Sequence, residues 1–211
     1  MGTSSGILYF MKKLHESYLL PFFEKMNVNF KNEWCVLHSY ETLPFFSESD
    51  VDMAFNGDAK ALEKLVLNVA ENTGWDICQK IWYNVQSCYY YVLKEKGTNT
   101  YLALDFLMDT HGIGRYGFKT SILTENPQII NNLIPIPNHE VAFFYKLVKR
   151  IEKKISLDKD KEYLVSHGKL ANKEIVNDFY RKHYGEKGKK LLEDYFTSDN
   201  KTFTKNDIEF L

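Results

Sequence analysis

The sequence predicts an α+β fold, in which a mixed sheet is flanked by helices and followed by a C-terminal helical part. Two patterns carry this prediction: period-two alternation of apolar residues, typical of strands, and apolar residues at helical spacing. A third observation places the boundary, because a stretch containing several glycines and prolines separates the strand-rich part from a lysine-rich helical tail. We therefore expect two regions, residues 1–136 and residues 137–211.

The first elements are a helix and two strands. Residues 11–26 have a helical pattern with a possible break or restart at Pro21. Residues 33–38 predict a short buried strand, and residues 39–49 predict a loop that contains one proline and three serines. Residues 50–55 predict a second strand, because Val, Met and Phe alternate there with two aspartates.

A helix and three strands come next. Asp58 is a favourable N-cap for an amphipathic helix, and the Thr73–Gly74 pair is a typical helix end. Three strands should then follow, at residues 75–83, 87–94 and 100–108, with a hairpin turn at residues 96–99. These elements complete the sheet of the first region.

The C-terminal half predicts helices. Residues 109–137 have no clear periodicity and are expected to be irregular. Asn138 is a good N-cap for a long helix with an apolar stripe. The remaining chain is helical in pattern, with breaks expected near Gly168, Gly185 and Gly188.

Composition excludes several classes of partner. The formal net charge of −1 gives no reason to expect nucleic acid or an anionic membrane. The three cysteines form no CxxC pair, which disfavours a disulfide framework or a zinc knuckle and favours a reducing cytoplasm. No apolar run reaches transmembrane length, and the opening lacks the charged-then-apolar order of a signal peptide. We expect a cytoplasmic protein, and these patterns leave its oligomeric state open.

Three aspartates are the strongest candidates for chemistry. In the segment SESDVDMAF, Asp50 and Asp52 face the same side of a strand, with Cα atoms roughly 6.5–7 Å apart. Asp105 lies inside the nearly continuous apolar strand YLALDFLM, where a charge is rare unless it is paired or bound to metal. Three carboxylates on adjacent strands would hold one or two Mg²⁺ ions. The alternatives are strand-edge acids that promote solubility, and an Asp105 that caps or pairs with a nearby basic residue.

The segment HSYETLP, followed by SDVD, resembles the motif of the polymerase-beta-like nucleotidyltransferase superfamily. In that family a strand ends in Gly-Ser or a related pair, and an Asp-x-Asp strand follows after a gap of about ten residues. A third carboxylate lies on a later strand. The segment LALDFL resembles that third-carboxylate strand, and the resemblance covers roughly residues 11–155. Two positions depart from the family pattern, because Ser39 and Glu48 stand where glycines are usual.

The resemblance implies Mg²⁺-dependent transfer of a nucleoside monophosphate from an NTP to a hydroxyl of a small acceptor, such as a sugar or sugar phosphate. Asp50 and Asp52 would hold the metal on the β- and γ-phosphates, and Asp105 would bind a second metal and take the acceptor's proton. The residues implied to line the triphosphate are Ser39, Tyr40 and Ser49. Two alternatives are a degenerate fold that binds nucleotide or a protein partner without turnover, and an enzyme that modifies a protein hydroxyl.

Basic residues supply two further candidates for nucleotide binding. Arg115 lies in the glycine-containing segment HGIGRYGFK, which lacks the order of a P-loop. Lys146 belongs to one basic helix face, which is either a phosphate clamp or a solvated surface; that face comprises Lys146, Lys149, Arg150 and Lys153. His38, at the end of the first strand, is expected to be packed or hydrogen-bonded rather than a metal ligand.

Overall fold

The structure is a computed structural model, and it describes residues 14–83, 88–113, 116–198 and 201–211. The helices are α1 Glu16–Asn29, α2 Ala59–Thr73, α3 Thr120–Leu123, α4 His139–Glu152, α5 Lys161–Leu170, α6 Lys173–Thr197 and α7 Lys205–Phe210, with a 3-10 turn at Leu157–Asp160. The strands are β1 Trp34–Val36, β2 Val51–Phe55, β3 Trp75–Tyr83, β4 Cys88–Glu95, β5 Tyr101–Leu107, β6 Thr110–Ile113, β7 Tyr116–Lys119, β8 Gln128–Ile130 and β9 Ile134–Ile136. The predicted mixture of a mixed sheet and helices, with helices at the C-terminal end, is confirmed.

A five-stranded sheet has the order β1-β2-β5-β4-β3. Strands β2 and β5 run parallel, and the other neighbours pair antiparallel. A parallel pair needs a long connection, which here contains α2, β3 and β4. The central position of β2 and β5 places any side chains that they share on one face in the middle of the sheet.

The core lies on one face of the sheet, against α1 and α2. Phe22 of α1 meets Phe106 of β5 edge to face, with ring centroids 6.1 Å apart. Phe23 stacks on Trp34 of β1 at 5.4 Å, and both rings are fully buried. The sequence signals for α2 are confirmed, because the Asp58 carboxylate accepts from the Ala61 N–H at 2.7 Å and Gly74 ends the helix with φ of 77°.

Two local predictions were wrong. Helix α1 continues through Pro21 without a break, because buried residues on both sides of it, Leu19 and Phe22 among them, hold consecutive turns against the core. The segment 109–137 is not irregular. It contains β6, β7, the one-turn helix α3 and the β8–β9 hairpin. All four of these strands are only three or four residues long. Strands this short carry too few residues to show a period.

The chain forms two compact units. The first contains the described residues up to His111 together with Lys119–Pro137, and the second contains the described residues of Gly112–Phe118 and Asn138–Leu211. The second unit has its own apolar core, to which Phe143, Leu164, Leu192 and Tyr195 belong.

The predicted helix breaks in the second unit are partly corrected. Gly185 has φ of 68° and ψ of 179°, so it interrupts the helical backbone within α6 as predicted. Gly168 and Gly188 instead lie inside helices. The helix end near Gly168 falls at Ala171, and Asn172 caps α6 by accepting from the Glu174 N–H at 2.9 Å. Within the part of the chain that the structure describes, no helix has both the length and the apolar character needed to cross a membrane.

Candidate metal centre

The pairing of β2 with β5 brings the three aspartates together. Asp52 lies directly opposite Asp105 in the parallel register of these strands. Asp50 precedes β2 by one residue and stands two residues before Asp52, so it projects to the same face. The sequence predicted all three residues as ligands, and the structure places them side by side.

Burial of the opposite face fixes this arrangement. Val51, Met53 and Phe106 are at most 2% exposed and pack into the core. A shift of one residue in either strand would move these apolar side chains to the open face and the aspartates into the core. The register of the acidic cluster is therefore set by the hydrophobic side of the same strands.

The three carboxylates can share a cation. Each offers one oxygen, and these oxygens all lie within 4.8 Å of one another. The side chains are half-buried, which lowers the screening of their mutual repulsion by water. Oxygen ligands of this kind suit Mg²⁺ or Ca²⁺, and Mg²⁺ sites in proteins usually keep open positions for water and phosphate. The residues thus fit one or two hard divalent ions.

His38 contacts the cluster directly. Its Nε2 lies 2.9 Å from Oδ2 of Asp52, and its Nδ1 lies 3.1 Å from the Ser39 hydroxyl. The Leu37 N–H also donates to the Asp52 backbone carbonyl at 2.9 Å, which fixes this end of β1 beside β2. The expected hydrogen-bonded role of His38 is found, and its partner is one of the predicted metal ligands. Such a contact orients a ligating carboxylate.

The turn after His38 retains a backbone geometry that glycine usually provides. Ser39 has φ of 57°, in the left-handed region that side chains other than Gly, Asn and Asp seldom adopt. The close turn is thus formed although the residue is serine. Its hydroxyl is exposed and lies next to His38, so it remains accessible to a ligand.

The other loop residues predicted to bind phosphate have different surroundings. Ser49 is exposed, and its hydroxyl donates to the Asp50 carbonyl at 3.3 Å. Tyr40 is only 8% exposed, so most of its ring packs inside the protein. Glu48 is exposed and adds a negative charge to the loop. Ser39 and Ser49 therefore lie near the carboxylates with exposed side chains, whereas Tyr40 is mainly a packing residue.

His15, which no signal in the sequence had singled out, is 5% exposed. Its Nδ1 accepts from the Ser47 N–H at 3.0 Å, and its Nε2 lies 3.0 Å from the Tyr101 carbonyl at the start of β5. The ring also stacks on Phe46 at 5.5 Å. His15 thus ties the loop before Asp50 to the strand that carries Asp105. A lone histidine before a helix carries no motif that could have revealed this bridge.

The hydrogen bonds require a neutral His15, with its proton on Nε2. Burial lowers the pKa of His15, and this effect outweighs the Tyr101 carbonyl and the Glu95 charge, which raise it. A second proton on Nδ1 would point at the Ser47 N–H, and this hydrogen bond would be lost because both groups would be donors. The stability from a lowered histidine pKa is complete above the unfolded value near 6.5 and declines as the pH falls below it.

Replacing His15 by alanine should therefore destabilise the protein by about 2–3 kcal/mol at pH 8, through lost packing and two unpaired backbone groups. The difference from wild type should shrink between pH 7 and pH 5, because the wild-type protein loses the His15 contribution there. Urea unfolding at several pH values measures both effects. A pH-independent difference would contradict a neutral bridging role.

The two predicted basic contacts have different outcomes. Arg115 lies outside the described residues. Lys146 is 8% exposed, its ammonium lies 3.3 Å from the Asp160 carboxylate, and it also sits 5.3 Å above the Tyr163 ring. Of the two alternatives for the basic face of α4, a solvated surface is therefore wrong for Lys146. Arg150 also pairs with Asp160. Binding of nucleotide by Lys146 remains a prediction.

Comparison with family models and curated proteins does not assign this chain to a family. No protein-family model matches the sequence, and no curated protein matches it. Function must therefore be inferred from the site itself.

Proposed function

We propose that this protein is a Mg²⁺-dependent nucleotidyltransferase. It would move a nucleoside monophosphate from an NTP to a hydroxyl of a small acceptor, such as a sugar or sugar phosphate. The observation that carries the proposal is the convergence of Asp50, Asp52 and Asp105 on one face of parallel neighbouring strands. The left-handed turn at Ser39 supports it, because the loop before this cluster has the close geometry expected of a phosphate-binding segment.

The proposed reaction is an in-line displacement at the α-phosphorus of the NTP. The acceptor oxygen forms a bond to that phosphorus, and the bond to the bridging oxygen breaks, so pyrophosphate leaves with the electron pair. Asp105 takes the proton of the acceptor hydroxyl. Asp50 and Asp52 would hold the metal, and His38, 2.9 Å from the Asp52 carboxylate, would keep that carboxylate oriented. When bound, Mg²⁺ supplies positive charge where negative charge develops on the phosphate oxygens.

A second candidate function is nucleotide binding without turnover. The observation that favours it is Glu48, which is exposed and lies in the loop before Asp50, next to the buried Ser47. A negative charge in this loop would oppose the binding of a triphosphate. A non-catalytic protein would use the same metal cluster as the enzyme, and the two candidates differ in whether pyrophosphate is released.

The decisive test is calorimetric titration with ATP, CTP, GTP and UTP, each with and without Mg²⁺. We expect one NTP to bind with a dissociation constant between about 1 μM and 1 mM, as enzymes commonly bind substrates, and only with metal present. The double variant Asp50→Asn/Asp52→Asn should show no such binding. Asp76→Asn is the matched control, since Asp76 lies on β3 of the same sheet with its side chain 64% exposed.

The outcomes separate the candidates. Metal-dependent binding with pyrophosphate release supports the transferase and names the donor. Metal-dependent binding without pyrophosphate release, for any acceptor sugar tried, favours the non-catalytic protein. Absence of binding by all four NTPs contradicts both.

A further inference from the structure

The second unit contains a cavity of about 590 Å³ between helices α4, α5 and α6. This volume lies within the range of small-molecule sites. Its walls are mostly apolar, and they include Phe143, Leu164, Val176 and Phe196. A cavity with these walls favours a ligand with an apolar body.

One polar group in the wall lacks a partner. Tyr180 lines the cavity and is 3% exposed, and among the described residues its hydroxyl has no hydrogen-bond partner. Burial raises the pKa of Tyr180, and the nearby Glu193 charge raises it further, so the hydroxyl keeps its proton. The hydroxyl oxygen itself keeps some contact with solvent, so it can donate to a ligand acceptor in the cavity.

The polar part of the cavity wall is positive. Lys169 and Lys173 line it, and neither ammonium has an ion-pair partner in the described part of the chain. Glu193 also lines the cavity, and its carboxylate lies 3.4 Å from Lys189, so the wall carries one negative charge beside its three lysines. Lys161 also lines the cavity, but it donates to the Ser198 carbonyl at 2.6 Å. The two unpaired lysines therefore make this part of the wall complementary to an anion.

We propose that this cavity binds a small amphipathic anion. The apolar body lies between Phe143, Val176 and Phe196. The anionic head, a carboxylate or a phosphate monoester, contacts Lys169 and Lys173 and accepts from the Tyr180 hydroxyl. This site is built entirely from the second unit and does not depend on nucleotidyl transfer.

The test titrates the full chain with decanoate and decyl phosphate below their micelle concentrations, and with decylamine and inorganic phosphate for comparison. We expect one or both of the ten-carbon anions to bind with one site per chain. Decylamine should bind at least about 10-fold more weakly, because the cavity wall carries three lysines and only one glutamate. Inorganic phosphate should not bind measurably, because it lacks the apolar body. The two anions distinguish a carboxylate head from a phosphate head.

Three variants and a control locate the site. Val176→Trp should abolish binding by filling the cavity. Lys169→Gln/Lys173→Gln should weaken it about 5- to 10-fold, and Tyr180→Phe about 3- to 10-fold. Lys182→Gln removes an exposed lysine of α6 that does not line the cavity, and it should leave binding unchanged.

The proposal fails if neither anion binds, or if decylamine binds as tightly as the anions. It also fails if the lysine and Tyr180 variants bind like the Lys182→Gln control. The lysine changes are on the surface and should leave the fold intact, so their result stands even if Val176→Trp fails to fold.

Discussion

Asparagine in place of Asp50, Asp52 or Asp105 is expected to weaken Mn²⁺ binding at least about 10-fold and to reduce pyrophosphate release from NTP by about 10²–10³-fold. Each change removes one charged oxygen from a cluster whose ligand atoms lie within 4.8 Å of one another. The shape of the side chain is kept, so the loss reports charge rather than packing. Titration with MnCl₂ and a pyrophosphate assay measure the two effects.

The same variants should not destabilise the metal-free protein. Like charges at this distance repel, so removal of one carboxylate should leave urea unfolding unchanged or shift it to slightly higher urea. Saturating Mn²⁺ should stabilise the wild-type protein, by about 2.7 kcal/mol at 100 times the dissociation constant, and stabilise the variants much less. Asp50→Asn and Asp105→Asn are the cleaner pair, because Asp52→Asn also removes the partner of His38.

The control is Asp76→Asn, which removes a carboxylate from an exposed position of β3 that pairs with Lys96 at 3.4 Å. It should change neither Mn²⁺ binding nor pyrophosphate release. Unchanged Mn²⁺ affinity in all three cluster variants would show that the carboxylates do not form a metal site, and the proposed function would lose its main support.

Asparagine in place of Asp160 is expected to destabilise the second unit by about 2–4 kcal/mol. The Asp160 side chain is 13% exposed, and it pairs with both Lys146 and Arg150. Its loss leaves the Lys146 ammonium, whose side chain is 10% exposed, without its carboxylate partner. Breaking a buried ion pair from one side costs more than the pair itself contributes, because a desolvated charge remains.

The pH dependence of this ion pair has a definite sign. Burial raises the pKa of Asp160, but the Arg150 hydrogen bond and the Lys146 charge outweigh it, so the pKa lies below its ordinary value. The stability is therefore complete above the unfolded pKa, near 4, and is lost as the pH falls through the lower folded value. The destabilisation by Asp160→Asn should accordingly be full at pH 7 and shrink below pH 4.

Urea unfolding followed by circular dichroism measures both effects. Asp178→Asn is the matched control, because Asp178 makes an ion pair with Arg181 at 3.2 Å on the exposed surface of α6. It should cost no more than about 0.5 kcal/mol. Equal losses of unfolding free energy in Asp160→Asn and Asp178→Asn would contradict the argument that burial makes the loss of Asp160 more costly. The result bears on Lys146, which the sequence suggested as a phosphate contact and which the structure places in this ion pair.

Local signals in the sequence determined several elements in both units. The N-cap at Asp58, the left-handed Gly74 and the N-cap at Asn138 were all found where side-chain chemistry predicted them. Strands β2 and β5 were predicted from apolar patterns, and the acidic residues within them were singled out because charge is unexpected there. These inferences succeed because caps, turns and strand periodicity depend on neighbours a few residues away.

Pairing over long distances was decided only by the tertiary structure. His15 and Tyr101 are 86 positions apart, and nothing near either residue predicts their hydrogen bond. The burial of Lys146 could not be read from its helix, because its partner lies on the 3-10 turn at Leu157–Asp160 that packs against α4. The short strands between 109 and 137 were missed for a related reason, since their backbone pairing rather than their own sequence forms them.

The sequence by itself therefore determined which residue types carry chemistry and which face of each strand they occupy. The tertiary structure decided which carboxylates meet, which histidines contact their strands and loops, and which lysine forms a buried ion pair. The physical reason is that a pattern of apolar residues specifies burial of a face, whereas the identity of the neighbour across that face depends on strand order and register. In this protein the parallel pairing of β2 with β5 supplies that information and brings Asp52 opposite Asp105.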